Sequence, residues 1–169
     1  MFRVGIFEKV SLEQFALSIL DSDSAMSSEQ AAETYQNLQL QTRATAGSAG
    51  YDFVSPISFM LSPGSSIKIP TGIRVRIDEE GWMLGILPRS SLGFKHRMQL
   101  DNTMGVIDSD YYHATNEGHI FIKVTNDGSL PMAVAAGDRF AQGIFFPYGI
   151  THDDYVDAER TGGMGSTGN

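Results

Sequence analysis

SIKIPTGIRVRIDEEG, residues 66–81, decides the reading of the fold. Ile67, Ile69, Ile73, Val75 and Ile77 all fall at odd positions. Successive side chains of an extended chain point to opposite faces, so these five share one face of a sheet. Ile120, Ile122 and Val124 repeat the spacing further along. Turn signals separate such runs at Ser62-Pro63-Gly64, Glu79-Glu80-Gly81, Asn126-Asp127-Gly128 and Gly137-Asp138. Many short antiparallel strands require this punctuation. From about Phe53 to Tyr148 the pattern therefore predicts an all-β sandwich or barrel.

Both flanks differ from this centre. SLEQFALSIL and SEQAAETYQNLQL, within residues 11–40, contain no Gly or Pro. Ser11 with Gln14 and Ser27 with Gln30 match the capping box, in which the cap hydroxyl and the side chain three residues on satisfy each other's backbone N–H groups. Two short helices are expected there, as an insertion in a β domain spanning 1–148. Thr161 to Asn169 carries four Gly and almost nothing to pack. Residues 149–169 therefore read as a flexible Gly-rich C-terminal arm. No repeat of 20 to 50 residues and no biased linker divides the chain.

The 169 residues suit one domain, and 41% hydrophobic against 19% charged residues describes a folded globule. The absence of Cys excludes disulfides, thiol catalysis and zinc-thiolate sites, and no apolar run approaches the length of a membrane span. These features predict a soluble cytoplasmic protein without a membrane partner. Twelve Lys and Arg against twenty Asp and Glu leave a net charge of −8. That balance argues against a sequence-independent grip on nucleic acid, which needs many cations facing phosphates. Any phosphate ligand should be small and accompanied by a metal.

Several familiar motifs fail. The four His, at 96, 113, 119 and 152, lack the i, i+4 pairing of a zinc helix. Asp108-Ser109-Asp110 opens like a calcium loop, but His113 stands where Gly must turn the chain and His119 where a bidentate Glu should close it. GGMGSTG in the tail lacks the Lys of a Walker P-loop. No G-x-S-x-G elbow is present.

Five segments carry more when taken in order: AGSAGYDF (46–53), PRSSLGFK (88–95), NTMGVIDSDYY (102–112), GDRFAQ (137–142) and RTGGMGSTG (160–168). Singly each is ordinary. Together, over about 120 residues, they resemble the five motifs of the trimeric dUTP diphosphatases, the dUTPases. The resemblance implies a jelly-roll-like β-fold and a homotrimer with sites shared between subunits. It further implies Mg²⁺-assisted hydrolysis of dUTP to dUMP and pyrophosphate. Matched motif to motif, Asp108 corresponds to the acid that activates the attacking water, and Tyr111 to the ring packed under the deoxyribose. Asn102 and Gly105 fall on the hairpin that receives uracil and sugar. Arg89, Ser90 and Ser91 match the phosphate-binding turn, and Gln142 a phosphate contact from a neighbouring subunit. Arg160, Gly163, Met164, Ser166 and Thr167 match the arm over the nucleotide, and Asp52 an acid reaching the metal through water.

The chain also departs from the family pattern. Met164 stands where an aromatic lid is usual, and Ser91 where Gly is common. About five extra residues enlarge the hairpin between Tyr111 and Gly118, and the 11–40 segment is an addition. These departures resemble dUTPases of some Gram-positive bacteria and their phages. Two alternatives stand beside the hydrolase: a dCTP deaminase-like nucleotide enzyme, and a noncatalytic, nucleotide-switched trimer whose additions engage a regulatory protein. The deaminase would need a glutamate base where this motif supplies Asp108 and Tyr111.

Overall fold

The computed structural model describes residues 2–22, 26–158, 160 and 162. The odd-position residues enter the core as the alternation requires: Ile69, Ile73, Val75 and Ile77 are buried and Ile67 is partly buried. They lie on β5 (Ser66–Pro70) and β6 (Ile73–Ile77). β6 pairs antiparallel with β1 (Gly5–Lys9), Phe7 opposite Val75. β5 pairs with β10 (Phe121–Asn126), whose other edge takes β8 (Met98–Leu100). β4 (Phe59–Leu61) pairs with β11 (Met132–Val134).

The largest sheet has the order β2-β3-β12-β7-β9. Its strands are β2 (Thr42–Arg43), β3 (Tyr51–Val54), β7 (Trp82–Pro88), β9 (Gly105–Ile107) and β12 (Arg139–Pro147). All strand pairs among the described residues are antiparallel. The inner faces meet in one apolar core that includes Phe53, Leu84, Ile86, Ile122, Val124 and Phe140. Each of the four predicted turns lies between consecutive strands; Gly64, Gly81 and Gly137 adopt the positive φ that such turns demand.

Two helices form in the 11–40 segment, α1 (Leu12–Leu20) and α2 (Ser28–Asn37). They carry a second, smaller core of Val10, Phe15, Ile19, Ala31, Leu38 and Ile57. Gly72, at φ +74°, lets them approach: a Cβ there would stand 2.3 Å from Leu38 Cδ1. The capping box at Ser27 is complete, with Gln30 returning a side-chain bond to the cap N–H. At Ser11 the box is only half made. Its hydroxyl accepts from Gln14 N–H, but its own N–H donates to Glu117 Oε2 at 2.7 Å, and its hydroxyl donates to Glu117 Oε1 at 2.6 Å. The second half of the cap comes from 106 residues away.

Two helical turns were not signalled by the sequence. α3 (Ser90–His96) contains Gly93 and starts at Arg89 without a side-chain cap. A 3-10 helix, Ser109–His113, follows Asp108. Neither contains the apolar periodicity by which helices are read.

Candidate active site

Strands β3, β7, β9 and β12 position most of the chemistry-bearing side chains. β9 delivers Asp108 to the N-cap of the 3-10 helix, where its carboxylate makes no capping bond and its side chain is 54% exposed. One turn on, Tyr111 is buried with its hydroxyl donating to the His119 carbonyl at 2.6 Å. Asn116 Nδ2 donates to the same hydroxyl at 2.8 Å. Beside this group opens a cleft of about 450 Å³ lined by Ile86, Leu100, Asn102, Gly105, Asn116 and Phe121. Apolar walls with a few polar groups and a close backbone suit a small planar ligand. Gly105 permits that approach, since a Cβ there would lie 3.3 Å from Ile86 Cβ.

Arg160 bridges two aspartates beside the Tyr111 ring. Its NH1 donates to Asp108 Oδ2 at 2.9 Å and to Asp110 Oδ1 at 3.2 Å, and its guanidinium stands 5.1 Å from the Tyr111 ring centroid. Burial lowers its pKa, but the bonds and charges of the two aspartates outweigh that and raise it. The pair places a cation beside the carboxylate expected to serve as base. Gly163, Met164, Ser166 and Thr167 lie outside the described residues.

The remaining predicted residues gather elsewhere on the same sheet. Asp52 on β3 stands opposite Gln142 on β12, and Gln142 Nε2 donates to the Pro88 carbonyl at 3.3 Å. Asp52 receives Arg139 NH1 at 3.3 Å and Arg89 Nε at 3.7 Å. Ser90 and Ser91 are exposed at the start of α3. The structure thus joins Asp52, Arg89 and Gln142 in one group, and Asn102, Gly105, Asp108, Tyr111 and Arg160 in another.

No cluster of three or more metal-ligating side chains occurs among the described residues. A magnesium site completed by ligand phosphates would need only one or two carboxylates from the protein. Asp52 fits an outer-shell role: the two arginine cations within 4 Å of its carboxylate disfavour a directly bound dication.

A family model described as dUTPase matches residues 36–168. The chain belongs to the dUTPase family. The deoxyuridine 5′-triphosphate nucleotidohydrolase of Tolumonas auensis is 36% identical over 165 residues, covering 93% of this chain and 99% of the relative. The dUTPase of Streptococcus mutans is similar in structure, with a TM-score of 0.62 at 33% identity over 86% of this chain and 97% of that one. A dUTPase of the S. aureus phage phi11 shares the fold at 21% identity and a TM-score of 0.59, over 73% and 92% of the two chains. Its structure concerns the coordination of a structural Mg(II) ion. Both the jelly-roll-like β-fold and the likeness to forms from Gram-positive bacteria and phages agree with these matches. No helix among the described residues is long and apolar enough to cross a membrane.

Against this family background, three residues near the site escaped the sequence reading. Arg139, within the fourth segment, pairs with Asp52. Asp110 shares Arg160 with Asp108. Asn116 lies in the hairpin enlargement, where spacing assigns no role to any single residue. Only the extra length between Tyr111 and Gly118 signalled that something had been added beside the site.

Proposed function

We propose that this protein hydrolyses dUTP to dUMP and pyrophosphate. The observation that carries the reading is Asp108: an exposed carboxylate, uncommitted to its helix cap, one turn before Tyr111, whose hydroxyl is bonded by Asn116 from the wall of the cleft. In this reading Asp108 orients a water toward the α-phosphorus and accepts its proton, a contribution of typically 10² to 10⁴ in rate. The Asn102–Gly105 hairpin presents main-chain groups to the uracil edge. A donor facing a donor rejects cytosine, and rigid backbone excludes the thymine methyl. Arg160 leaves Asp108 for the phosphates when the nucleotide enters. Ser90, Arg89 and Arg160 then stabilise the charge that develops on the leaving pyrophosphate. Magnesium would be held through water by Asp52 and, when bound, offsets phosphate charge against a chain of net −8.

Strand register supports a shared site. Asp108 follows Ile107, which lies opposite Leu84, whereas Arg89 follows Pro88 at the other end of β7. About five or six residues of extended chain separate the two levels, roughly 15–20 Å. A triphosphate is less than half that long. One chain's Asp108 therefore acts with the Asp52, Arg89 and Gln142 group of another copy, as in a homotrimer.

Pyrophosphate release across dUTP, dTTP, dCTP and UTP, with and without Mg²⁺, tests this function. Release from dUTP alone is expected, and Asp108→Asn should slow it at least about a hundredfold while dUTP still binds. Ammonia from dCTP, or ordinary turnover by that variant, would overturn the assignment.

A further inference from the structure

We propose that Asp110 is a positioning residue for the hydrolysis: it keeps the arm's Arg160 at the site, so that Asp108 can be freed to act as base without the arm being freed with it. The inference rests on the dUTP reading for the role of Asp108, whereas the docking of Arg160 stands on geometry alone. Residues 149–158 are exposed throughout. Their hydrogen bonds are local, from Asp154 N–H to the Thr151 carbonyl and from Val156 N–H to Asp154 Oδ1. Arg160 differs. Its side chain is only 9% exposed, and its guanidinium stands 5.1 Å from the Tyr111 ring centroid. Among the described residues from 149 onward, it alone bonds to side chains of the β domain.

Both of those bonds leave one nitrogen. NH1 carries two N–H groups and gives one to each aspartate, Asp108 Oδ2 at 2.9 Å and Asp110 Oδ1 at 3.2 Å. An arginine with a single carboxylate partner must lose its ion pair to release that partner. With two, NH1 can leave Asp108 and still donate to Asp110. The rest of the guanidinium is not needed for this hold: Nε donates to the Gly162 carbonyl at 3.3 Å, and NH2 makes no hydrogen bond among the described residues. NH2 is therefore the end that can meet a phosphate while NH1 stays on Asp110.

Asp110 serves no other contact that would account for it. Among the described residues its carboxylate has no hydrogen bond or ion pair except that to Arg160. Both aspartates are about half exposed, so water screens each pair and neither bond alone is strong. A triphosphate can thus draw Arg160 off Asp108, and the bridge can re-form once product has left.

Trypsin tests the docking without nucleotide. It cuts after Arg160 only when the guanidinium has left the two aspartates for the protease's own acidic pocket, so the cutting rate reads the undocked fraction. Asp110→Asn, an isosteric change at a side chain 55% exposed, should speed this cut about fivefold, and Asp110→Glu should stay within about twofold of wild type. With dUTP and Mg²⁺, Asp110→Asn should lower kcat about tenfold and move KM by less than about twofold, because Arg160 then has only Asp108 as a carboxylate partner and keeps the base occupied. In an Arg160→Ala background the same change should alter kcat by less than about twofold, since Asp110 acts only through Arg160. A cutting rate or a kcat within about twofold of wild type in Asp110→Asn, or an equal fall in kcat with and without Arg160, would overturn the proposal. If Arg160→Ala turns over too slowly to measure, the cutting rate and kcat of Asp110→Asn decide. Failure of the dUTP reading itself shows separately, as no pyrophosphate released from dUTP by the unmutated protein.

Discussion

Acidification should destabilise this protein through His119 before its carboxylates contribute. The ring is fully buried against Phe15 and Phe121, with Glu117 as the nearby charge. Burial pushes its pKa from 6.5 down to about 4, against a smaller upward pull from Glu117. Protonation would also take away the Nε2 lone pair that accepts from Gly72 N–H. Between these two pKa values the unfolded chain binds a proton that the folded chain does not, so stability falls as pH falls from about 6.5 to about 4. A shift of that size is worth about 2 kcal/mol by about pH 5 and about 3 kcal/mol by about pH 4. Urea unfolding at about pH 7.5 and about pH 5, at one protomer concentration, measures it, since any oligomer makes apparent stability concentration-dependent. His119→Gln cannot titrate and should lose about 2 kcal/mol less over that interval, whatever its stability at neutral pH. Equal losses in wild type and variant would refute the reasoning.

Three further outcomes follow from other parts of the fold. Glu117→Ala forfeits both bonds to Ser11 and should cost about 1–2 kcal/mol, read by urea unfolding and by faster hydrogen exchange in the first turn of α1. Burial raises the Glu117 pKa, but the Ser11 bonds outweigh it and leave the pKa lowered. Its contribution is therefore present above about pH 4.5 and lost below, a window under that of His119. Gly118→Ala meets Tyr111 O and Tyr112 Cα at 2.8 Å with φ at +68°, and backbone cannot yield as a side chain can. A loss of about 1–3 kcal/mol and a higher KM for dUTP are expected from thermal melts and steady-state rates. Excess chelator should abolish pyrophosphate release and added Mg²⁺ restore it; undiminished turnover without the metal would refute its role.

How far the sequence could be read depended on the range of the interaction. Ile69, Ile73 and Ile122 were legible as core because alternation is local and each turn between strands carries its own Gly or Pro. The cap at Ser27 was legible for the same reason, as both partners lie within four residues. Ser11 has the same local signature, yet Glu117 outcompetes Gln14 for its N–H. A charged acceptor bonds more strongly than an amide, and only folding brings it within reach. Arg139 and Asn116 were missed because nothing in their neighbourhood along the chain marks them. Their partners, Asp52 and the Tyr111 hydroxyl, become neighbours through β-strand pairing and a turn with Glu117 at φ +59°.

The amino-acid sequence by itself determined an acidic, cysteine-free β protein with two capped helices. Five ordered motifs carry the resemblance to the family, and that resemblance names Asp108 as the candidate base. Tertiary structure alone decided which motifs meet. Pairing of β3 with β12 and of β12 with β7 gathers Asp52, Arg89 and Gln142 at one end of a sheet, and the β7–β9 register sends Asp108 toward the other. Those registers are set by side-chain packing between strands far apart in the chain, which no local pattern encodes.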